Sequence, residues 1–266
     1  METQHSASLE QSLARTEADA EATLTTANKV VSSVKKFRDA AKKGNLRELP
    51  RMIEVTEQAI AALRQQFINA KESWDFDEET YFSGGGFQSE LVEAARQAGV
   101  KIFKQHEMIY CYPYLIRIKA QERAIQIDKM VERRLRPSIL AKHLRELQNK
   151  PAKFKSQAFL ECLFTAYSMI LSRHSEEAMA TGKIVKLLDI YQLLTLLPGQ
   201  SKEYTKEEFA RDIYLLDKSG IANTNQGFVL NLVVPSTGGK SLQKSIRVIN
   251  EDGQEKKYYG ISFKRL

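Results

Sequence analysis

Basic side chains carry the clearest chemical message in this sequence. Arg133, Arg134 and Arg136 precede Lys142, Arg145, Lys150, Lys153 and Lys155 in the middle of the chain, and Lys240, Lys244, Lys256 and Lys257 lie toward its C-terminal end. Guanidinium forks and ammonium groups are what contact with phosphate oxygens requires, and such contacts hold a nucleic-acid backbone without reading its bases. The 266 residues have a formal net charge of +7, but that charge is unevenly spread. Residues 101–155 hold 14 basic against 5 acidic side chains, whereas 75–100 hold 1 against 6. A concentrated basic stretch raises a local positive potential that favours polyanions. Tyr110, Tyr112 and Tyr114 alternate within it. Such tyrosines either stack on exposed bases or pack a sheet against a helix, and packing is the commoner use.

Other chemistries fit less well. Ser236-Thr237-Gly238-Gly239-Lys240-Ser241 ends like a phosphate loop, yet Val234 stands where that motif needs its first glycine. A β-pattern from Leu242 to Ile249 leaves no room for the required helix at Lys240, so a lysine-bearing loop tip is expected. His5, His106, His143 and His174 show no metal-ligand spacing, and Cys111 with His106 lacks a third ligand, so no metal and no cofactor are expected. Cys162 lies among Phe159, Leu160, Leu163 and Phe164 and reads as a small core residue; Cys111 sits between tyrosines. Neither has the neighbouring base that a nucleophile needs. Asp75, Asp77 and Glu78 are the carboxylates a metal-dependent nuclease would use, on a stretch that reads as a loop.

These residues must be positioned by the elements around them. The N-terminal third predicts two helices broken at Gly44-Asn45, with Pro50 in the opening turn of the second. Leu9, Thr16, Thr23, Val30 and Phe37 recur by sevens, as do Leu13, Ala20, Ala27, Val34 and Ala41. Leu46, Leu49, Ile53, Thr56, Ile60, Leu63, Phe67, Ala70 and Trp74 alternate steps of three and four. The pattern predicts an antiparallel helical hairpin about 40 Å long with these residues in its seam. An acidic, glycine-rich linker over 75–86 and a helix over 89–98 should follow. Strands are expected over 101–104, 108–118, 123–127 and 130–135, then a helix over 139–148 stopped by Pro151. Arg133 and Arg134 would face opposite ways on the last of these strands. Helices over 155–173, 183–197 and 206–218 come next, the third opened by a Thr205–Glu208 capping box. Strands over 228–234, 245–249 and 257–263 end the chain, with a hairpin turn at Asp252-Gly253.

The fold class expected is α+β. It comprises a helical hairpin (1–74), a linker with a short helix (75–99), a basic β-rich subdomain (100–150) and a winged-helix-like domain (151–266). The third helix of that last domain, with Lys206, Arg211 and Lys218 against Glu207, Glu208, Asp212 and Asp217, is acidic overall and poorly suited to phosphates. The basic hairpin should meet DNA instead. No apolar run reaches the roughly 18 residues of a membrane span, and Met1–Leu9 has no apolar core segment, so a cytoplasmic protein without a membrane partner is expected. The layout resembles accessory subunits that accompany large ATPases or nucleases in bacterial chromosome maintenance and plasmid or phage defence. That resemblance implies a non-enzymatic subunit binding a large protein partner through its helices and nucleic acid, DNA before RNA, through its basic surface. A homodimer through the hairpin is a further expectation. The alternatives are a winged-helix transcription regulator and the nuclease already named.

Overall fold

The computed structural model describes residues 8–105, 108–150, 153–172, 182–236 and 240–265. His5, His106, Pro151, Arg173, His174 and the 237–239 part of the glycine-rich stretch lie outside the described residues. The chain mixes helix and sheet, with helices at its N-terminal end and small antiparallel sheets beyond. It forms two compact units. One contains the helices up to Ala95 with Ala120–Ala124 and Arg133–Lys142; the other contains Arg96–Lys119, Ile125–Glu132 and the chain from His143 onward.

In the first unit, helix α1 (Leu9–Lys43) starts on Ser8, whose hydroxyl accepts from the Gln11 amide. Its other free amides need partners too. Glu90, on α4 (Gly86–Gln97), accepts from the Leu9 and Glu10 amides at 2.9 and 3.0 Å and places a negative charge on the positive end of the helix dipole. Gly44, at φ +67, stops α1 by returning its N–H to the Ala40 and Ala41 carbonyls. Helix α2 (Leu49–Glu72) then runs back antiparallel, with Pro50 in its first turn.

The seam of this hairpin differs from the expected one. The columns facing inward on α1 are Leu9, Thr16, Thr23, Val30 and Phe37 together with Ser12, Asp19, Thr26, Ser33 and Ala40. On α2 they are Leu49, Thr56, Leu63 and Ala70 together with Met52, Ala59, Gln66 and Ser73. The expected partners Ile53, Ile60 and Phe67 are about half exposed. Two helices share one contact line, and small polar residues let the backbones approach where a second large apolar column would hold them apart. The stretch expected as linker also folds. Helix α3 (Glu78–Ser83) is capped by the Asp77 side chain, and Tyr81 is buried within an aromatic group in which Phe76–Tyr81 and Phe82–Phe87 ring centroids each lie 4.9 Å apart.

The five-strand meander has the order β1 (Phe103–Gln105), β2 (Met108–Cys111), β3 (Tyr114–Lys119), β4 (Ala124–Ile127), β5 (Met130–Glu132). One long strand was expected over 108–118; a turn at Tyr112-Pro113 divides it, because proline has no N–H for the ladder. Helix α5 (Pro137–Gln148) follows and buries Leu140, Ala141, Leu144 and Leu147.

The remainder of the second unit is built on α6 (Ser156–Ser172). Its Phe164 and Tyr167 rings each lie 5.0 Å from Phe263. The helix expected from 183 begins as strand β6 (Val185–Lys186) and becomes helical only over α7 (Leu187–Leu194). Short α8 (Gln200–Glu203) leads to α9 (Lys206–Ser219), which opens on the expected capping box. Strand β7 (Phe228–Val233) and β10 (Gly260–Arg265) pair antiparallel, and β10 lies between β6 and β7. Between them sit a helical turn α10 (Lys240–Gln243) and a separate hairpin, β8 (Ile246–Ile249) with β9 (Glu255–Tyr258). Asn250 fixes the hairpin turn by accepting from the Asp252 and Gln254 amides. Gly253 is required there: its φ is +80, and a Cβ would come within 2.4 Å of the Phe103 ring.

Candidate nucleic-acid interface

Within the second unit, Lys101, Lys150 and Lys218 line one cleft of about 510 Å³ with Tyr112, Gln148 and Glu251. Its construction is local. The Gln148 side chain, at the end of α5, accepts from the Lys101 amide at 3.0 Å and donates to the Lys101 and Tyr112 carbonyls. The end of a helix thereby fixes the entry to β1 and the turn after β2. Lys218 sits in the last turn of α9, where a cation also favours the helix dipole. Its ammonium lies 5.0 Å from the Tyr112 ring centroid and pairs with Glu251. Tyr112 meets Tyr214 edge-on at 5.5 Å, and Lys256 lies 5.1 Å from the Tyr214 ring. Burial, with smaller contributions from Tyr214 and Glu251, pushes the Tyr112 hydroxyl up to about 12, so it stays a neutral donor. Asp252 pairs with Lys101 at 3.5 Å and Asp217 with Lys256 at 3.7 Å, so a phosphate would compete with these carboxylates, in pairs exposed enough to be weak. Exposed lysines over aromatic rings are groups that phosphate and base contact use.

The residues expected to bind nucleic acid fall into distinct environments. Lys150 lies in the cleft and Lys256 beside it on Tyr214. Lys142 and Arg145 occupy exposed positions of α5; Arg133, Arg134, Lys153, Lys155 and Lys244 are exposed as well. Lys257 pairs with Glu255 at 2.9 Å. Lys240 opens α10, a correction to the expected return to β-structure, but a four-residue turn with Val234 upstream remains a poor phosphate loop. Arg136 points inward: Glu10 accepts from its Nε at 2.7 Å and from the Ser138 amide at 2.9 Å, and Glu17 takes its other arm. Burial opposes the charge on Glu10, yet Arg136 and Ser138 outweigh it and hold its pKa below the ordinary value. Sequence reasoning missed Lys101 and Lys218. Lys101 opens the most basic segment, and the net acidity of its helix hides Lys218.

Half of that acidity is internal, because Glu208 is buried and the Asp212 side chain is 13% exposed. Arg211 on α9 donates to Asp128, in the β4–β5 turn, at 2.6 Å and pairs with Asp212 at 3.0 Å. Asp212 also accepts from the Tyr204 hydroxyl, and Asp128 accepts from the Leu115 amide. Every residue from Glu208 to Leu216 is buried or half-buried, so α9 has no open face along its middle. A larger cleft of about 870 Å³ is lined by Arg117, Lys206, Arg247, Glu207 and Tyr110 among others. Arg117 there donates to Thr205 and pairs with Glu207 at 3.5 Å, and Arg247 pairs with Glu255. Tyr110 is buried, as a packing tyrosine should be.

The other candidate groups are separated. Asp75 pairs with Arg15, Asp77 accepts from the Thr80 amide, and Glu78 pairs with Arg123. Among the described residues, no three His, Cys, Asp or Glu side chains are grouped to hold a metal ion. Burial pushes the Cys111 thiol up to about 12, the opposite of an activated nucleophile. Cys162 is exposed rather than in the core, because the helical period turns Leu160, Leu163, Phe164 and Tyr167 inward and Cys162 with Met169 outward. Among the described residues, no helix is long and apolar enough to cross a membrane. Comparison of the chain with known protein families, curated proteins and solved structures finds no match.

Proposed function

We propose that this chain is a non-enzymatic accessory subunit of a nucleic-acid-associated assembly, which holds the nucleic-acid backbone through lysines and protein partners through its helices. The observation that carries the reading is the convergence of Lys101, Lys150 and Lys218 on one cleft around Tyr112. The second unit supports it as a winged-helix variant. Its elements run α6, β6, α7, α9, β7 and β10, and the last strand lies between the first and second, as in that fold. The β8–β9 hairpin takes the place of the wing. Helix α9, in the position that reads the major groove in groove-reading members, is packed on all sides along its middle. The geometry therefore favours backbone contact over a sequence-reading regulator. The nuclease reading draws no support from Asp75, Asp77 and Glu78, each drawn to a different partner. A bacterial setting in chromosome maintenance or plasmid and phage defence rests on layout alone.

The test is anisotropy titration of a labelled random-sequence duplex with the full chain at 50 and 200 mM salt. About three phosphate contacts should weaken binding about 40-fold across that range, with little difference between sequences. Lys150→Glu with Lys218→Glu should weaken it about tenfold or more at low salt. A preference of several kcal/mol for one sequence would favour the regulator. No binding at 50 mM salt would overturn the nucleic-acid part of the reading.

A further inference from the structure

The first unit leaves an apolar column that its own packing uses only at one end, where the Trp74 ring lies 5.8 Å from that of Phe76. Ile53, Ile60, Phe67 and Trp74 recur every seven residues along α2 and just past its end, and are 48%, 51%, 60% and 36% exposed. Each follows a seam residue of the Leu49–Thr56–Leu63–Ala70 column by four. On α1, Ala20, Ala27 and Val34 follow the Thr16–Thr23–Val30 column by the same offset. In an antiparallel pair, equal offsets fall on the same side of the seam, so the two columns form one apolar face. Val34 is 43% exposed, and Leu24 and Val31 beside it are about half exposed. A face this long on a two-helix element, rimmed by charge, marks an interaction surface.

We propose that the occupant is a second copy of this chain, its α2 lying antiparallel against this α2 about a two-fold axis near Arg64. The argument is self-complementarity. The register that sets Ile60 against the partner's Phe67 also sets Ile53 against the partner's Trp74, a smaller side chain facing a larger ring each time. The same register, within one residue, brings Glu57 to the partner's Lys71, and the two-fold repeats every pair. Glu57, Arg64 and Lys71 form the exposed column bordering the apolar one. A parallel arrangement would oppose like charges at all three of these positions, whereas the antiparallel one does so only at Arg64, on the axis. The area suffices: 24 residues of α2 span about 36 Å, and a hairpin side about 20 Å wide gives about 700 Å² per copy, close to the roughly 800 Å² of a standard interface. The inference rests on the hairpin alone and stands or falls apart from nucleic-acid binding.

Sedimentation of the full chain without nucleic acid tests it. At tens of micromolar the expected mass is twice the 30.3 kDa of one chain. Ile60→Glu with Phe67→Glu should weaken association more than about hundredfold, with the helical circular dichroism unchanged because both side chains are exposed. Glu57→Lys and Lys71→Glu should each weaken the dimer, and the double exchange should restore it. A wild-type chain that stays at single mass would overturn the proposal. So would a dimer indifferent to the Ile60/Phe67 change, or a double exchange that fails to restore association.

Discussion

Helices α2 and α9 treat their side chains in opposite ways. In α2, Thr56 and Gln66 face the seam while Ile53, Ile60 and Phe67 stand outside. In α9, Arg211 and Asp212 are drawn inward and hardly any face is open. The difference lies in the number of neighbours, not in the amphipathic pattern of either helix. A helix in a two-helix hairpin has one contact line, so a second apolar column stays in solvent until something covers it. A helix packed between a strand, another helix and loops has no outer face along its middle, so its charges there are buried and must find each other.

The largest expected effect comes from breaking the buried set in α9. Arg211→Ala would leave the Asp128 and Asp212 carboxylates without their cation at side-chain exposures of only 27% and 13%. Removing one partner of a buried pair costs about 3–5 kcal/mol. Urea unfolding of the full chain followed by tyrosine fluorescence should show a loss of that size. A loss below about 1 kcal/mol would mean that water reaches these carboxylates and that α9 is less enclosed than α2's inner face.

A middle-sized effect belongs to Glu10, which turns Arg136 inward in the first unit much as Asp128 turns Arg211 in the second. Burial raises the Glu10 pKa, and Arg136 and Ser138 lower it by more, so the folded value lies below the ordinary 4.5. A carboxylate depressed on folding contributes stability that is present in full above its unfolded pKa and is lost as pH falls through the folded one. Glu10→Gln should therefore cost about 1 kcal/mol at pH 7 and flatten the thermal stability profile below pH 4.5. Identical profiles for wild type and variant between pH 3 and pH 6 would refute this contribution of the Glu10 carboxylate.

The same contrast explains what could be read from the sequence. The breaks were legible, because they rest on residues with one physical use: Gly44 ending α1, Thr205 and Glu208 opening α9, Asp252-Gly253 turning β8 into β9. The seam was half legible. Heptads showed that Leu49, Thr56, Leu63 and Ala70 share a face with Ile53 and Ile60, but not which column the single partner helix would take. Helix α3 was hidden by three successive glycines, although the Asp77 cap and the aromatic spacing were present. At the candidate interface, basic residues could be counted but not paired. Arg136 and Lys257 look like Lys150 in a sequence, and only the fold brings carboxylates to the first two.

The smallest effect probes the polar seam itself. Thr56 is buried, and its hydroxyl donates at 2.7 Å to the Met52 carbonyl, which also serves the helix ladder. Thr56→Val keeps the shape and removes a hydroxyl whose acceptor keeps its backbone donor, so stability should change by no more than about 0.5 kcal/mol. Thermal melts of the monomeric Ile60→Glu/Phe67→Glu background would measure it free of association. A gain would show that the seam tolerates apolar side chains of this size, and that closeness of the two helices, not hydrogen bonding, selected threonine there. A loss beyond 1 kcal/mol would give the hydroxyl a role in setting the interhelical distance, and would sharpen the contrast with α9, where polar groups are inside because no outside is left.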